Sequence, residues 1–249
     1  MGGVKKILYL IYHYRRGPKC PFCGYASNIM YPFGEDAEAI TRYKIIGAGR
    51  RNVRCINCGS TDRERLVYIY LKFVACVFKC KDNPIILHIA PEPRLRDKLR
   101  EGPFEYIAGD LFTEGYEYPD YVRNMDLCNL PLADNSVDIL ICNHVLEHIE
   151  NDRMAMKEIY RVLKATGFAI LQVPISPILK YTIEDFTVQG PEQRLKIFGQ
   201  RDHCRIYGAD YIERLEYCGL KVTVVNLDPS FHHKYNINPK ESLYLVRKL

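Results

Sequence analysis

The 249-residue sequence lacks several features, and each absence excludes something. It has no apolar run of the ~18 residues a bilayer-crossing helix needs, which argues against a membrane protein. Residues 7–14 are short, rich in tyrosine and without a small-residue cleavage site, so no signal peptide is expected and a cytoplasmic location is. There is no internal repeat and no low-complexity tail, and no dense Lys/Arg run interleaved with aromatics. With 47% hydrophobic and 26% charged residues, the composition is that of a folded globular protein and excludes disorder. Its length suits one large domain, or a medium domain with a small appendage.

Charge is unevenly placed. Residues 1–72 carry 13 Lys+Arg against 5 Asp+Glu, a net +8, and the remainder carries −3. A basic front on a slightly acidic body favours a phosphate-bearing partner; scattered solvated basic residues are the plainer alternative.

Ten cysteines in a chain expected to be cytosolic point to metal or buried thiols before disulfides. Cys20-Pro-Phe-Cys23-Gly24 and Cys55-Ile-Asn-Cys58-Gly59 form two C-x2-C-G knuckles. Together Cys20, Cys23, Cys55 and Cys58 supply the closed thiolate set of a structural Zn2+ site, with iron as the alternative ion. The separation of the knuckles fits a zinc ribbon over 1–62. Such a site has no open position for catalysis, so its role is scaffold or substrate platform. Cys76 and Cys80 read better as core packing than as a second ligand pair. Ser60-Thr61-Asp62, with Glu64 nearby, caps a connecting helix over 63–80.

The densest pattern lies between Met125 and Ile175. Val137 to Cys142 is an apolar run of the kind buried on both faces of a parallel sheet. Ala155/Met156, Ile159 and Val162/Leu163 then recur at helical spacing, Gly167 reads as the helix C-terminal residue, and Phe168–Val173 as the next strand. Polar residues crowd the carboxyl end of the first strand, the edge where open α/β sheets bind ligands.

The segments DNSVDILICNHVLEHI and EIYRVLKATGFAILQVP resemble the central region of class I S-adenosylmethionine (SAM) methyltransferases, the type 11 branch in particular. The resemblance covers roughly fifty residues. It implies an α/β Rossmann-like fold with strand order 3-2-1-4-5-7-6 over 81–249, with Lys221–Leu227 and Leu243–Arg247 as a terminal antiparallel hairpin. It also implies an enzyme that uses SAM. In that family the loop after the first strand is glycine-rich. Here Ala90-Pro91-Glu92-Pro93 stands in its place, after Ile85–Ala90; a sub-branch with an N-terminal zinc ribbon is similar in using LHIAPE there.

On this resemblance, His88, Ala90 and Glu92 are cofactor-loop candidates, with Glu92 on the SAM amino group. Asp110 closes the second strand about twenty positions past that loop, where a carboxylate accepts ribose hydroxyls. Asp126 and Leu127 close a third strand (Val122–Leu127) beside the adenine. Asn143 and His144 end the fourth strand, facing the transferred methyl. His144 and His148 flank Glu147, and each is a candidate proton acceptor. The excursion 174–208 should fold over the substrate, because loops this long in compact domains are usually functional. Its FGQRDHCRIYG run resembles the same sub-branch. His203 there is the first candidate general base, and Asp202, Arg205 and Tyr207 are substrate contacts. His232-His233, in the insert 228–242, are placed at the pocket rim.

The expected function is methyl transfer to oxygen or nitrogen of a small molecule or saccharide. RNA is the alternative acceptor, since a ribosomal RNA guanine methyltransferase family joins a zinc ribbon to a similar domain. A scaffold that has lost SAM use is the third reading, resting on the missing glycines. The sequence leaves oligomeric state open.

Overall fold

The computed structural model describes residues 7–8 and 17–249; most of the 7–14 stretch judged against a signal peptide, and the first sixteen residues of the ribbon module save two, lie outside them. Among the described residues no helix is long and apolar enough to cross a membrane.

The front of the chain is a two-stranded antiparallel ribbon, β1 (Met30–Phe33) and β2 (Arg51–Cys55), with a short helix α1 (Glu38–Arg42) between them. Helix α2 (Asp62–Ile69) follows, and Glu64 folds back to accept from the N–H and hydroxyl of Thr61 at 2.7 and 3.1 Å. This satisfies a donor that a bare helix start would orphan. The expected connecting helix is not continuous. It widens into a π turn at Tyr70–Val74 and ends in a 3-10 turn, Val77–Lys79, after Cys76 takes a left-handed φ of 53°. That break turns Cys80 outward, so it is exposed rather than packed in a core.

The main sheet contains β3 (Ile85–Ile89), β4 (Glu105–Asp110), β5 (Val122–Asn124), β6 (Val137–Asn143), β7 (Leu163–Gln172), β10 (Leu220–Val225) and β11 (Leu243–Lys248). Between β7 and β10 in the chain, β8 (Ile183–Glu184) pairs separately with β9 (Arg205–Ile206). The sheet order is β10-β11-β7-β6-β3-β4-β5. Counted within the sheet, that is the expected 3-2-1-4-5-7-6. All neighbours are parallel except β11, which runs antiparallel to both β7 and β10.

Period-2 alternation sends successive residues of the central strands to opposite faces, and both faces are covered, so both are largely apolar. Leu87, Ile89, Leu140 and Cys142 face one core with Met156 and Ile159 of α4 (Asp152–Val162) and Tyr211 and Leu215 of α6 (Tyr211–Tyr217). Ile86, Ile139 and Ile141 face the other, with Leu66 and Ile69 of α2 and Leu95 and Leu99 of α3 (Pro93–Arg100). The excursion 174–208, hereafter the lid, contains α5 (Pro191–Phe198), and the insert 228–242 contains α7 (Pro229–Tyr235).

Two local expectations are corrected. Gly167 does not end a helix: α4 stops at Val162 and Gly167 lies inside β7. A Cβ there would meet the Asp138 carbonyl at 2.7 Å, so close backbone approach accounts for the glycine. The third strand stops at Asn124, before Asp126-Leu127. Asp126 instead makes a turn, accepting from the Cys128 N–H at 2.8 Å.

The front ribbon is fastened to the α/β body by Arg65, which is fully buried. Its guanidinium donates to the carbonyls of Ser60, Val53 and Asn236, each at 2.8 Å.

Candidate functional site

The four knuckle cysteines converge. Cys20 Sγ lies 3.6 Å from Cys58 Sγ, Cys23 Sγ lies 3.8 Å from Cys55 Sγ, and all four sulfurs are within 4.8 Å of one another. Tetrahedral Zn–S bonds of ~2.3 Å require S–S edges of roughly 3.8 Å, so the two close pairs already match and the donor set fits zinc with a small contraction. The knuckles are built alike. Gly24 and Gly59 donate to the Cys20 and Cys55 carbonyls at 2.9 Å and adopt φ of 73° and 81°, where a side chain is strained.

At the carboxyl edge of β3 and β6, His88, Glu92 and Asn143 form a buried chain. His88 Nε2 donates to Glu92 Oε2 at 2.9 Å, the Tyr106 hydroxyl is 3.1 Å from Nδ1, and Asn143 Nδ2 donates to Glu92 Oε1. Burial pushes the Glu92 carboxyl up, but its bond to His88 outweighs this and holds it below the usual range. A fixed anion therefore sits beneath the loop. Ala90 solves the absence of glycine. It takes φ 48° and donates to the Gly109 carbonyl at 2.8 Å, so the backbone turns into the region glycine favours despite its methyl. Asn143 Oδ1 is buried with no hydrogen-bond partner among the described residues. Asp110 ends β4, half-buried, and burial raises its carboxyl. Asp126 is exposed and Leu127 is packed into the core.

A second group collects just beyond. His144 leaves β6 with φ 57°, and the 3-10 turn Leu146–His148 follows. Glu147 is 1% exposed. Its Oε1 lies 3.4 Å from His144 Nδ1 and 3.9 Å from His203 Nε2. Burial pushes Glu147 up, yet the three surrounding histidines, His144 first, bring it down to about 2. His203 is pushed down to about 4 by burial and is neutral at pH 7. His148 stacks edge-on to His203 and is raised, despite burial, by Asp202 at 3.3 Å. His144 Nε2 faces Glu241 Oε1 at 3.7 Å.

These groups line a cavity of about 160 Å³ walled by three parts of the chain. The ribbon contributes Phe33, Gly47, Gly49 and Arg51, with Arg63 of α2. The end of β6 contributes His144, Glu147 and His148, and the lid Gly199, Gln200 and His203. Lid and ribbon also share a small core of Ala39, Ile45, Val188, Phe198 and Ile206.

Two expected substrate contacts stand elsewhere. Arg205, fully buried, donates to the carbonyls of Leu146, Ile149 and Glu150 and pairs with Glu184 at 3.0 Å. The Tyr207 hydroxyl is buried and donates to Asp152 at 2.8 Å. Their polar atoms are consumed in pinning the turn that carries Glu147, because a carbonyl-rich turn leaving a strand end needs donors. His232 and His233 are not at the rim. They ride on α7, whose Phe231 and Tyr235 stack on Phe73 at 5.9 and 6.0 Å; Glu241, at the end of the same insert, reaches the site instead. Arg51, Arg63 and Glu241 carry no sequence signal. Glu147 could be found from its place between His144 and His148.

Residues 99–171 match the family model described as a methyltransferase domain. No curated protein matches the chain. Among solved structures, the chain is similar to a SAM-dependent methyltransferase from Archaeoglobus fulgidus (15% identity, 75% of this chain and 94% of that one, TM-score 0.48). It is also similar to a Mesorhizobium loti S-adenosylmethionine-dependent methyltransferase (14%, 67% and 91%, TM-score 0.44). A third similar structure is a Haloferax volcanii complex of the Trm112 methyltransferase activator with a methyltransferase (15%, 75% and 93%, TM-score 0.44). The matched segment lies within the α/β unit, whose sheet order is the one expected for a methyltransferase domain, and it supports methyltransferase activity.

Proposed function

We propose that this methyltransferase acts on an oxygen or nitrogen of a small-molecule or saccharide acceptor held in the cavity between ribbon, β6 and lid. The observation that carries the reading is the cavity itself. Its volume of about 160 Å³ is that of roughly five waters at ~30 Å³ each, on the scale of one sugar-sized ring. Its walls come from three separate parts of the chain, which suits a small acceptor better than a continuous strand.

SAM supplies an activated methyl whose sulfonium departs without needing an acid, so the protein's task is positioning. Asp110 would take the ribose hydroxyls. Glu92 and the unpartnered Asn143 Oδ1 would meet the ammonium group, and the left-handed turn at Ala90 would let the cofactor approach the backbone. Asp126 and Leu127 remain the adenine-side pair, with Asp126 offering an exposed carboxylate. His203, neutral at pH 7, is the leading proton acceptor for the incoming nucleophile, and a positioned base is worth roughly 10²–10⁴ in rate. His144 and His148 stand beside it. The zinc-bound ribbon would act as one wall and as a platform.

One observation favours RNA as the acceptor. Arg54 and Arg63 lie over the Phe33 ring, at 4.8 and 5.4 Å, giving the cavity mouth a basic and aromatic rim. Steeply salt-dependent RNA binding would select that reading.

The test is calorimetry of the zinc-replete protein with SAM and with S-adenosylhomocysteine. Micromolar binding of either supports the cofactor assignment. No binding of either by folded protein would return the chain to the scaffold reading.

A further inference from the structure

We propose that Glu147, His148 and His203 form a second metal centre, a mixed carboxylate–imidazole site for a divalent first-row transition ion at the floor of the acceptor cavity. Each of the three offers a ligand atom, and these atoms lie within 4.8 Å of one another. An ion needs only a small contraction to gather them. The donors come from two segments 55 residues apart, so neither local turn geometry nor helix spacing produces the coincidence.

The carboxylate is the telling group. Glu147 is 1% exposed, and neither oxygen has a hydrogen-bond partner among the described residues. Buried carboxylates left without donors are costly, and proteins keep them where something cationic arrives. The nearest basic groups, His144 and His203, stand 3.4 and 3.9 Å from Oε1, beyond good hydrogen-bond distance. The surroundings are also built for ligation. Asp202 lies 3.3 Å from His148 Nδ1, placed to take that ring's N–H and leave Nε2 for an ion, as carboxylates behind ligating histidines do. The Glu147 carbonyl accepts from the Cys204 N–H at 3.0 Å, and Arg205 holds the carbonyls on either side of the turn. The ligand frame is therefore rigid before any ion binds.

Two imidazoles and one carboxylate suit Zn2+, Mn2+, Fe2+ or Co2+ rather than Mg2+ or Ca2+, and three protein ligands leave an open position. That position faces the cavity lined by the same three residues. This role rests on the acceptor reading above: an acceptor hydroxyl taking the open position would be oriented and made more acidic by the ion. His203 would then be a ligand rather than the proton acceptor. The thiolate cluster of the ribbon is a separate site, closed by four protein ligands.

The experiment is a Co2+ titration of the full chain with its thiolate site already filled by zinc, followed by visible absorption. The expected result is one saturable equivalent giving d–d bands without thiolate charge-transfer absorption. Glu147→Gln and His203→Ala should each weaken binding by tenfold or more, and Asp202→Asn by about tenfold. Calorimetry with SAM on the same samples reports whether each variant still folds and separates this proposal from the cofactor reading. Absence of a saturable Co2+ site, or binding unchanged in both Glu147→Gln and His203→Ala, would overturn the second centre even if SAM binds normally.

Discussion

Arg94 donates from Nε to the carbonyl of Cys58 at 2.8 Å. Cys58 belongs to the four-thiolate cluster, and Arg94 is the second residue of the helix that follows the Ala90–Pro93 loop. The Arg94 N–H is itself held by Glu64 Oε1 at 3.0 Å. The ribbon and the loop assigned to the cofactor therefore share a mechanical link. Releasing the thiolate-bound ion with a mercurial should weaken SAM binding as well as lower the melting temperature. Zinc content by mass spectrometry, followed by calorimetry on the same sample, checks both. Unchanged SAM affinity after complete release would show the link to be idle.

Asp110→Ala should reduce SAM affinity while leaving the melting temperature nearly unchanged, because the residue is half-buried at a strand end. Hydrogen bonds to a charged group are worth ~1.5–3 kcal/mol, which corresponds to about 10–150-fold in dissociation constant. Equal affinity in the variant would remove the ribose assignment.

Ala90 sits at φ 48°, a conformation that costs an L-residue ~1–2 kcal/mol. Ala90→Gly should be neutral or slightly stabilising, since relief of strain offsets the added freedom of the unfolded chain. Ala90→Val should destabilise by more than 1–2 kcal/mol, because a β-branched side chain is the worst fit there. Urea denaturation of both variants measures the difference, and equal stability of all three would contradict the observed turn.

Arg65→Ala should cost at least ~3 kcal/mol, because three buried carbonyls lose their donor at ~1–3 kcal/mol each. The loss should show as early proteolysis of the ribbon. A variant as stable and as protease-resistant as the wild type would deny Arg65 its fastening role.

Glu92 predicts part of the acid limb of stability. Its carboxyl is held below the unfolded value by His88 despite burial, so the folded chain binds fewer protons there than the unfolded chain. That contribution is fully present above the unfolded value near 4.5 and is lost as pH falls through the folded one. Denaturation free energies at pH 6, 4.5 and 3.5 should fall less steeply in Glu92→Gln than in the wild type. Parallel curves would place the acid sensitivity elsewhere.

Local chemistry alone was enough for much of the plan. The apolar run Val137–Cys142, flanked by turn residues, suits a strand buried on both faces. The paired C-x2-C-G knuckles carry their own turn geometry, so the thiolate cluster was legible from spacing. The sheet order followed from resemblance at its centre, extended outward. What the sequence could not supply were facts of register and distance. Gly167 looked like a helix stop because a glycine for close backbone approach and one for a left-handed turn are the same letter. Arg205 and Tyr207 looked like substrate contacts because polar residues in a long loop read alike, whether they face a cavity or are consumed by carbonyls. Only the tertiary structure brought Glu241 to His144 and His203 to Glu147, across separations where no periodicity acts. It also showed Ala90 taking the backbone turn glycine would, because the hydrogen bond to Gly109, not the residue type, determines that conformation.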